Sequence, residues 1–159
     1  MREISSFKRL FREACSIYSV LEDDGIPKYQ KFLNELHSDY TEELININGR
    51  IKSIGKYGAL EDYFKLEEWK HDERICCLYD EPDSELRLFC VRFENEKIVV
   101  LGSGGPKPKS IRAWQDDLKL EREGNLIITI SDILRKKIEL NLIHYSHDSL
   151  KLLGDLNIP

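Results

Sequence analysis

The sequence predicts an α+β fold, because helical spacing in its first half gives way to strand-like runs after about Arg74. Apolar residues recur at helical intervals over 29–40 and again over 44–54. Three runs rich in β-branched and aromatic residues follow, at 75–79, 86–93 and 97–101. We therefore predict a helical hairpin followed by an antiparallel three-stranded meander.

Shorter patterns predict the elements that precede and join these. Residues 15–21 predict an N-terminal strand, and the acidic run that ends at Gly25 predicts the turn that closes it. Residues 7–14 show helical spacing over a stretch so short that an irregular lead-in remains an alternative. Asp39 is a candidate N-cap for the second helix, since its side chain can accept a hydrogen bond from a free backbone N–H.

The C-terminal third carries a mixed pattern. Residues 126–130 are β-branched enough for a strand, but five apolar residues also fit one helix face: Leu126, Ile130, Ile133, Leu134 and Ile138. We favour a helix from about 126 to 140, preceded by a shorter helix that Ser110 caps. A short extended segment is expected within 149–159.

Length and composition predict one globular domain, with 159 residues of which 41% are hydrophobic. We see no run approaching the ~20 apolar residues that span a bilayer, so we expect no membrane association. The first residues lack the apolar stretch of a signal peptide, so we expect a cytoplasmic protein.

Cysteine and histidine spacing favours no metal site. We expect four reduced thiols, because no C-x-x-C pair occurs among Cys15, Cys76, Cys77 and Cys90. His144 and His147 have the spacing of two ligands on a helix, but the sequence suggests no third ligand to accompany them. We therefore predict neither a bound metal nor a cofactor.

Charge is unevenly distributed along this acidic chain, whose formal net charge is −5. The stretch 97–112 contains four basic residues and no acidic one. It also contains three glycines and two prolines. By themselves these favour a tight exit from an edge strand, and together with Lys107, Lys109 and Arg112 they favour a loop from Gly102 to Ser110 whose backbone N–H groups can form an anion nest. Basic charge gathered at one strand end predicts a local anion site, with phosphate as the favoured ligand.

The order of these elements resembles that of the RelE/ParE superfamily of bacterial toxins, especially its RelE and HigB ribonuclease branch. The residues that carry the resemblance are Arg50-Ile51 through Gly58, Phe64-Lys65-Leu66, Leu86-Arg87-Leu88-Phe89, Ile98-Val99-Val100-Leu101 and the basic residues Lys107 and Lys109. The match covers roughly residues 15–115 of a single RelE-like domain. Residues from about 116 to 159 are then a C-terminal helical extension.

The resemblance implies the toxin of a type II toxin–antitoxin pair, whose partners are an antitoxin protein, the ribosome and messenger RNA. Arg87 matches the arginine that opens the family's middle meander strand, which implies a catalytic role in offsetting charge on the scissile phosphate. Lys107 and Lys109 match the basic cluster after the last strand, and Arg112 joins them as an RNA-binding residue. Antiparallel pairing predicts that Arg87 lies near Leu101, below the lysine loop.

Several features keep other functions open. Tyr79 and Asp80 stand where many of these ribonucleases carry a basic residue, and no histidine lies within 72–143. Tyr79, Asp80 and Tyr145 are the candidates for proton transfer, and no sequence pattern supports any of them. A ParE-like toxin that binds a topoisomerase without catalysis is therefore one alternative, and an inactive toxin-derived interaction domain is another. Arg87 itself is equally well explained as a sheet arginine paired with a carboxylate.

Overall fold

The computed structural model of the chain describes residues 7–12, 14–60, 63–65, 75–78, 86–93, 97–107 and 118–158. Within these ranges the fold is α+β, as the sequence predicts, with a six-stranded mixed sheet and a separate two-stranded sheet. The strands are β1 (Phe7–Arg12), β2 (Ser16–Val20), β3 (Phe64–Lys65), β4 (Ile75–Leu78), β5 (Leu86–Arg92), β6 (Ile98–Pro106), β7 (Ile143–Tyr145) and β8 (Leu152–Gly154). The helices are α1 (Lys28–Leu36), α2 (Thr41–Tyr57) and α3 (Leu118–Glu139).

The large sheet has the strand order β1-β2-β6-β5-β4-β3. Its β4-β5-β6 portion is the predicted antiparallel meander. β2 pairs with β6 in parallel, and α1 and α2 lie on the connection between these two strands. Parallel neighbours need such a crossover, because a short turn can join only antiparallel strands.

β1 replaces the irregular or helical lead-in that the sequence suggested for residues 7–14. It pairs antiparallel with β2, in a register that runs from Phe7 opposite Val20 to Arg12 opposite Ser16. An irregularity between Arg9 and Phe11 interrupts this register. Helical spacing over one or two turns is a weak signal, and here the pairing with β2 overrides it.

α1 and α2 cover one side of the large sheet, here called the α1/α2 side. Both predicted helices are confirmed, and their apolar stripes enter a core that also takes alternate residues from five strands. Its buried members are Cys15, Ile17, Tyr29, Phe32, Leu36, Leu44, Ile47, Ile51, Ile54, Ala59, Phe64, Leu78, Leu86, Leu88, Cys90, Val99 and Leu101. The predicted Asp39 cap is wrong: α2 begins at Thr41, and the N-cap residue Tyr40 makes no side-chain capping bond.

α3, β7 and β8 cover the opposite side, here called the α3 side. Its core consists of Phe7, Tyr18, Val20, Phe89, Val91, Phe93, Ile98, Val100, Leu120, Ile127, Ile130, Leu134, Ile143 and Leu152. The favoured helix is confirmed and begins earlier than predicted, so the strand alternative for 126–130 is wrong. β8 supplies the extended segment expected within 149–159. The short helix that Ser110 was expected to cap lies outside the described residues.

α3 is the longest described helix at 22 residues. Within the described ranges, no helix combines the length and the apolar character that crossing a bilayer requires.

Candidate functional site

The glycines of the basic stretch lie mostly in a strand and not in the loop that the sequence predicted. β6 continues through Gly102, Gly104 and Gly105 to Pro106. A Cβ at Gly104 would lie 1.9 Å from the backbone oxygen of Arg87, so only glycine permits this approach of β6 to β5. A Cβ at Gly102 would lie 2.7 Å from Cδ1 of Ile127 in α3. These glycines therefore serve close packing, and the predicted anion nest is wrong for this part of the chain.

Arg87 lies opposite Gly105 in the β5–β6 ladder, and not near Leu101 as predicted. The difference arises because β6 extends to Pro106 and carries a register shift opposite the stretch between Leu88 and Cys90. Gly105 is two residues before Lys107 in sequence. The structure thus brings the backbone of Arg87 close to the start of the basic segment, as expected. The β5–β6 register that does so differs from the predicted one.

The Arg87 side chain is only 5% exposed. Strand alternation puts it on the same side of the sheet as Phe89 and Val91, which belong to the α3-side core. Its Nη1 donates a hydrogen bond to the backbone oxygen of Leu86 at 2.9 Å. The guanidinium is therefore held in a packed position. Arg92 lies on the other side of the sheet, where its Cζ is 5.6 Å from the ring centroid of Phe64.

The other residues predicted to bind RNA or transfer protons are only partly accounted for. Lys107 is half-buried at the end of β6. Lys109, Arg112, Tyr79 and Asp80 lie outside the described residues. Tyr145 belongs to β7, where its ring packs edge-on against Phe93 with the ring centroids 6.3 Å apart. Phe93 follows β5 at the opposite end from Arg87, about 20 Å along the strand, so the structure does not join Tyr145 to Arg87.

The described cysteines are free thiols, as predicted. Cys15 and Cys90 are both buried. Burial raises the pKa of the Cys15 thiol to about 12, so this side chain is not a nucleophile near neutral pH. Cys76 and Cys77 belong to β4, outside the described side chains. Among the side chains that the structure describes, no three His, Cys, Asp or Glu residues come together as metal ligands.

A cleft of about 470 Å³ opens on the α3 side, between the end of β5 and the C-terminal half of α3. We call it the β5–α3 cleft, and its lining residues are Val91, Phe93, Ser131, Asp132, Arg135, Lys136, Ile138, Glu139 and Tyr145. Ser131 is 1% exposed, and its Oγ has no hydrogen-bond partner. Arg135 donates from Nη2 to Oδ1 of Asp132 at 2.7 Å. Apolar patterning did not predict this cleft, although a serine inside the apolar stripe of a helix was a signal for it.

A chain of ion pairs joins α1 to α3. Lys28 lies 3.1 Å from Glu123 of α3 and 3.1 Å from Glu22, and both side chains of the Lys28–Glu123 pair are nearly buried. Lys31 in turn contacts Glu22 at 2.7 Å and Asp24 at 2.6 Å. The hydrogen bond from Lys31 lowers the pKa of Glu22 and that of Asp24. These contacts tie together helices on opposite sides of the sheet, which is a structural role.

Comparisons of the chain with protein-family models, curated proteins and solved structures give no match. The chemistry available to the protein is therefore read from its own residues. Two places stand out, at opposite ends of β5. One is the strand end where Arg87 approaches the basic segment, and the other is the β5–α3 cleft.

Proposed function

We propose that this chain is the toxin of a toxin–antitoxin pair with a RelE/ParE-type fold, and that it acts by cleaving messenger RNA. The observation that carries the proposal is the pairing pattern of the large sheet. A strand followed by two helices pairs in parallel with the last strand of an antiparallel meander. This is the element order on which the resemblance rests, and the parallel pairing of β2 with β6 supports the proposal.

The basic end of the meander supports RNA as the target. Arg87 lies opposite Gly105, and Lys107 follows directly after β6. Guanidinium and ammonium groups near one strand end favour the binding of a phosphodiester. In cleavage without metal, the 2′-hydroxyl attacks the adjacent phosphate, and a nearby guanidinium offsets the charge that develops on the phosphorane oxygens.

The burial of Arg87 favours a second candidate, a ParE-like toxin that inhibits a topoisomerase by binding it. An arginine that is 5% exposed and bonded to Leu86 packs well but presents little of its guanidinium to a substrate. A toxin that acts by binding alone needs no catalytic arginine. The two candidates share the fold and differ in whether RNA is cut.

Induced expression of the chain in a bacterial host, with mapping of messenger RNA ends, distinguishes these functions. We expect growth arrest with new RNA ends. The double variant Lys107→Ala/Lys109→Ala should reduce both effects and should lower the salt slope of RNA binding by about 1.4. The control variant Lys52→Ala/Lys56→Ala removes the same charge from exposed positions on α2 and should remain toxic.

Other outcomes overturn parts of the proposal. Growth arrest with altered plasmid supercoiling and unchanged RNA ends would replace RNA cleavage by topoisomerase binding. Unchanged growth under strong expression of the folded chain would exclude toxin activity altogether. Because Arg87 is buried, Arg87→Lys is compared with Arg87→Ala, and circular dichroism checks that each variant folds. Loss of RNA cleavage in a folded Arg87→Lys variant supports a bidentate phosphate contact.

A further inference from the structure

The β5–α3 cleft has properties that packing of the described core does not explain. Its volume of about 470 Å³ lies within the range of small-molecule sites, about 300–1,000 Å³. It lies at the far end of β5 from Arg87, so it does not belong to the proposed RNA site. We propose that this cleft binds a small aromatic carboxylate.

The floor of the cleft accounts for the aromatic part of the ligand. Val91 and Phe93 are core side chains of the α3 side that also line the cleft, and Ile138 adds apolar surface from α3. The ring of Tyr145 stands nearly perpendicular to that of Phe93, at an interplanar angle of 88°. Two aromatic rings at a right angle form a corner into which a third ring fits by stacking or edge-on contact.

Ser131 shows that the cleft is adapted to a polar group. Its hydroxyl is buried and has no partner, although a helical serine can ordinarily bond to a carbonyl one turn back. An unsatisfied buried hydroxyl costs stability, and an alanine at this position would avoid that cost. A ligand oxygen that accepts a hydrogen bond from Ser131 Oγ gives the hydroxyl its partner.

The charged residues that line the cleft are formally balanced, Arg135 and Lys136 against Asp132 and Glu139, so the placement of each charge decides which ligand is favoured. In the Asp132–Arg135 pair the arginine side chain is 33% exposed and the aspartate side chain is 61% exposed, so the positive member lies deeper. A guanidinium has five N–H donors and can bond two acceptors at once, which allows Arg135 to bind a ligand carboxylate while it keeps Asp132. Lys136 and Glu139 are both exposed and offset each other, which leaves Arg135 as the less exposed charge of the cleft.

The test is a titration of the purified full-length chain, followed by ¹⁵N NMR, with 3-phenylpropionate as the probe. Three matched compounds separate the contributions: 3-phenylpropanol lacks the charge, propionate lacks the ring, and 3-phenylpropylamine reverses the charge. We expect 3-phenylpropionate to bind with a dissociation constant of about 1 mM or lower, and the others at least about tenfold more weakly. The shifted resonances should belong to the C-terminal half of α3 and to β7.

Variants of α3 make the assignment specific. Arg135→Gln should weaken binding of 3-phenylpropionate about tenfold, and Arg122→Gln, which removes an exposed charge from the same helix, should leave it unchanged. Ser131→Ala should weaken binding several-fold while the free protein becomes no less stable, which a purely structural serine would not do. Absence of binding at several millimolar, or preference for the amine, overturns the proposal. Toxicity assays test the proposed RNA site at the Arg87 end of β5. The toxin proposal and the ligand proposal can therefore fail independently.

Discussion

The two sides of the large sheet are packed differently. Among the described residues, thirteen of the seventeen core side chains on the α1/α2 side are fully buried, against four of the fourteen on the α3 side. The α1/α2 side has two helices with broad apolar stripes to cover it. The α3 side has one long helix and the small β7–β8 sheet, and between them the β5–α3 cleft remains open.

This difference separates a layer that serves packing alone from a layer that has room for a ligand. Fully buried side chains present no surface to a ligand, and most of the described core residues on the α1/α2 side are of this kind. The α3 side instead holds the buried polar groups that its helix does not need for packing, Arg87 and Ser131 among them. Both layers pack against the same sheet, so a change in strand register disturbs the packing on both of its sides.

The largest effect is expected where a substitution breaks that shared register. Gly104→Ala places a Cβ 1.9 Å from the Arg87 backbone oxygen and should destabilise the protein by about 5 kcal/mol, because two paired strands must separate. Gly105→Ala meets nothing closer than 3.7 Å, at the flexible Lys119 side chain. It should be neutral or stabilise by up to about 1 kcal/mol, by reducing the entropy of the unfolded chain. Urea denaturation measures both, and equal effects would contradict the described register.

A matched pair of isoleucines compares the two layers directly. Ile47→Ala removes a fully buried side chain from α2, and we expect a cost of about 4 kcal/mol because the dense layer cannot close the cavity. Ile130→Ala removes a side chain that is 2% exposed from α3, and we expect a cost of about 2.5 kcal/mol because the looser layer can relax. Free energies of unfolding from urea titrations give the comparison. A larger loss for Ile130→Ala would mean that the α3 side is the more tightly packed one.

The smallest effect concerns the ion pairs that Lys31 makes with Glu22 and Asp24. Lys31 lowers the pKa of Glu22 below its ordinary value of 4.5 in the folded protein, so the interaction stabilises the fold above that pH. The contribution is lost as the pH falls from 4.5 through the lowered pKa. Lys31→Gln should therefore be less stable than the natural protein near pH 7, with the difference shrinking below pH 4.5. Lys52→Gln, on the exposed face of α2, should show no such change in unfolding experiments over this pH range.

Local patterning predicted most of the secondary structure. The helical spacing of Tyr29, Phe32 and Leu36 marks the face of α1 that is buried in the structure. The β-branched runs at 86–93 and 97–101 likewise predict β5 and β6, because alternating side chains enter the cores on the two sides of the sheet. In both cases the information is carried by neighbours in sequence. The resemblance to a toxin family added an expected function, which stays a prediction.

Tertiary contacts decided the extent and register of β6 and the position of the β5–α3 cleft, which neighbouring residues in the sequence do not encode. Gly102 to Pro106 have little strand propensity, yet they form the end of β6 because β5 and α3 approach closely there. That extension moved the partner of Arg87 from Leu101 to Gly105. The β5–α3 cleft likewise depends on how α3 and β7 sit against β5, and Ser131 alone hinted at it. Apolar periodicity determines which face of an element is buried, whereas register and cavities depend on partners distant in sequence.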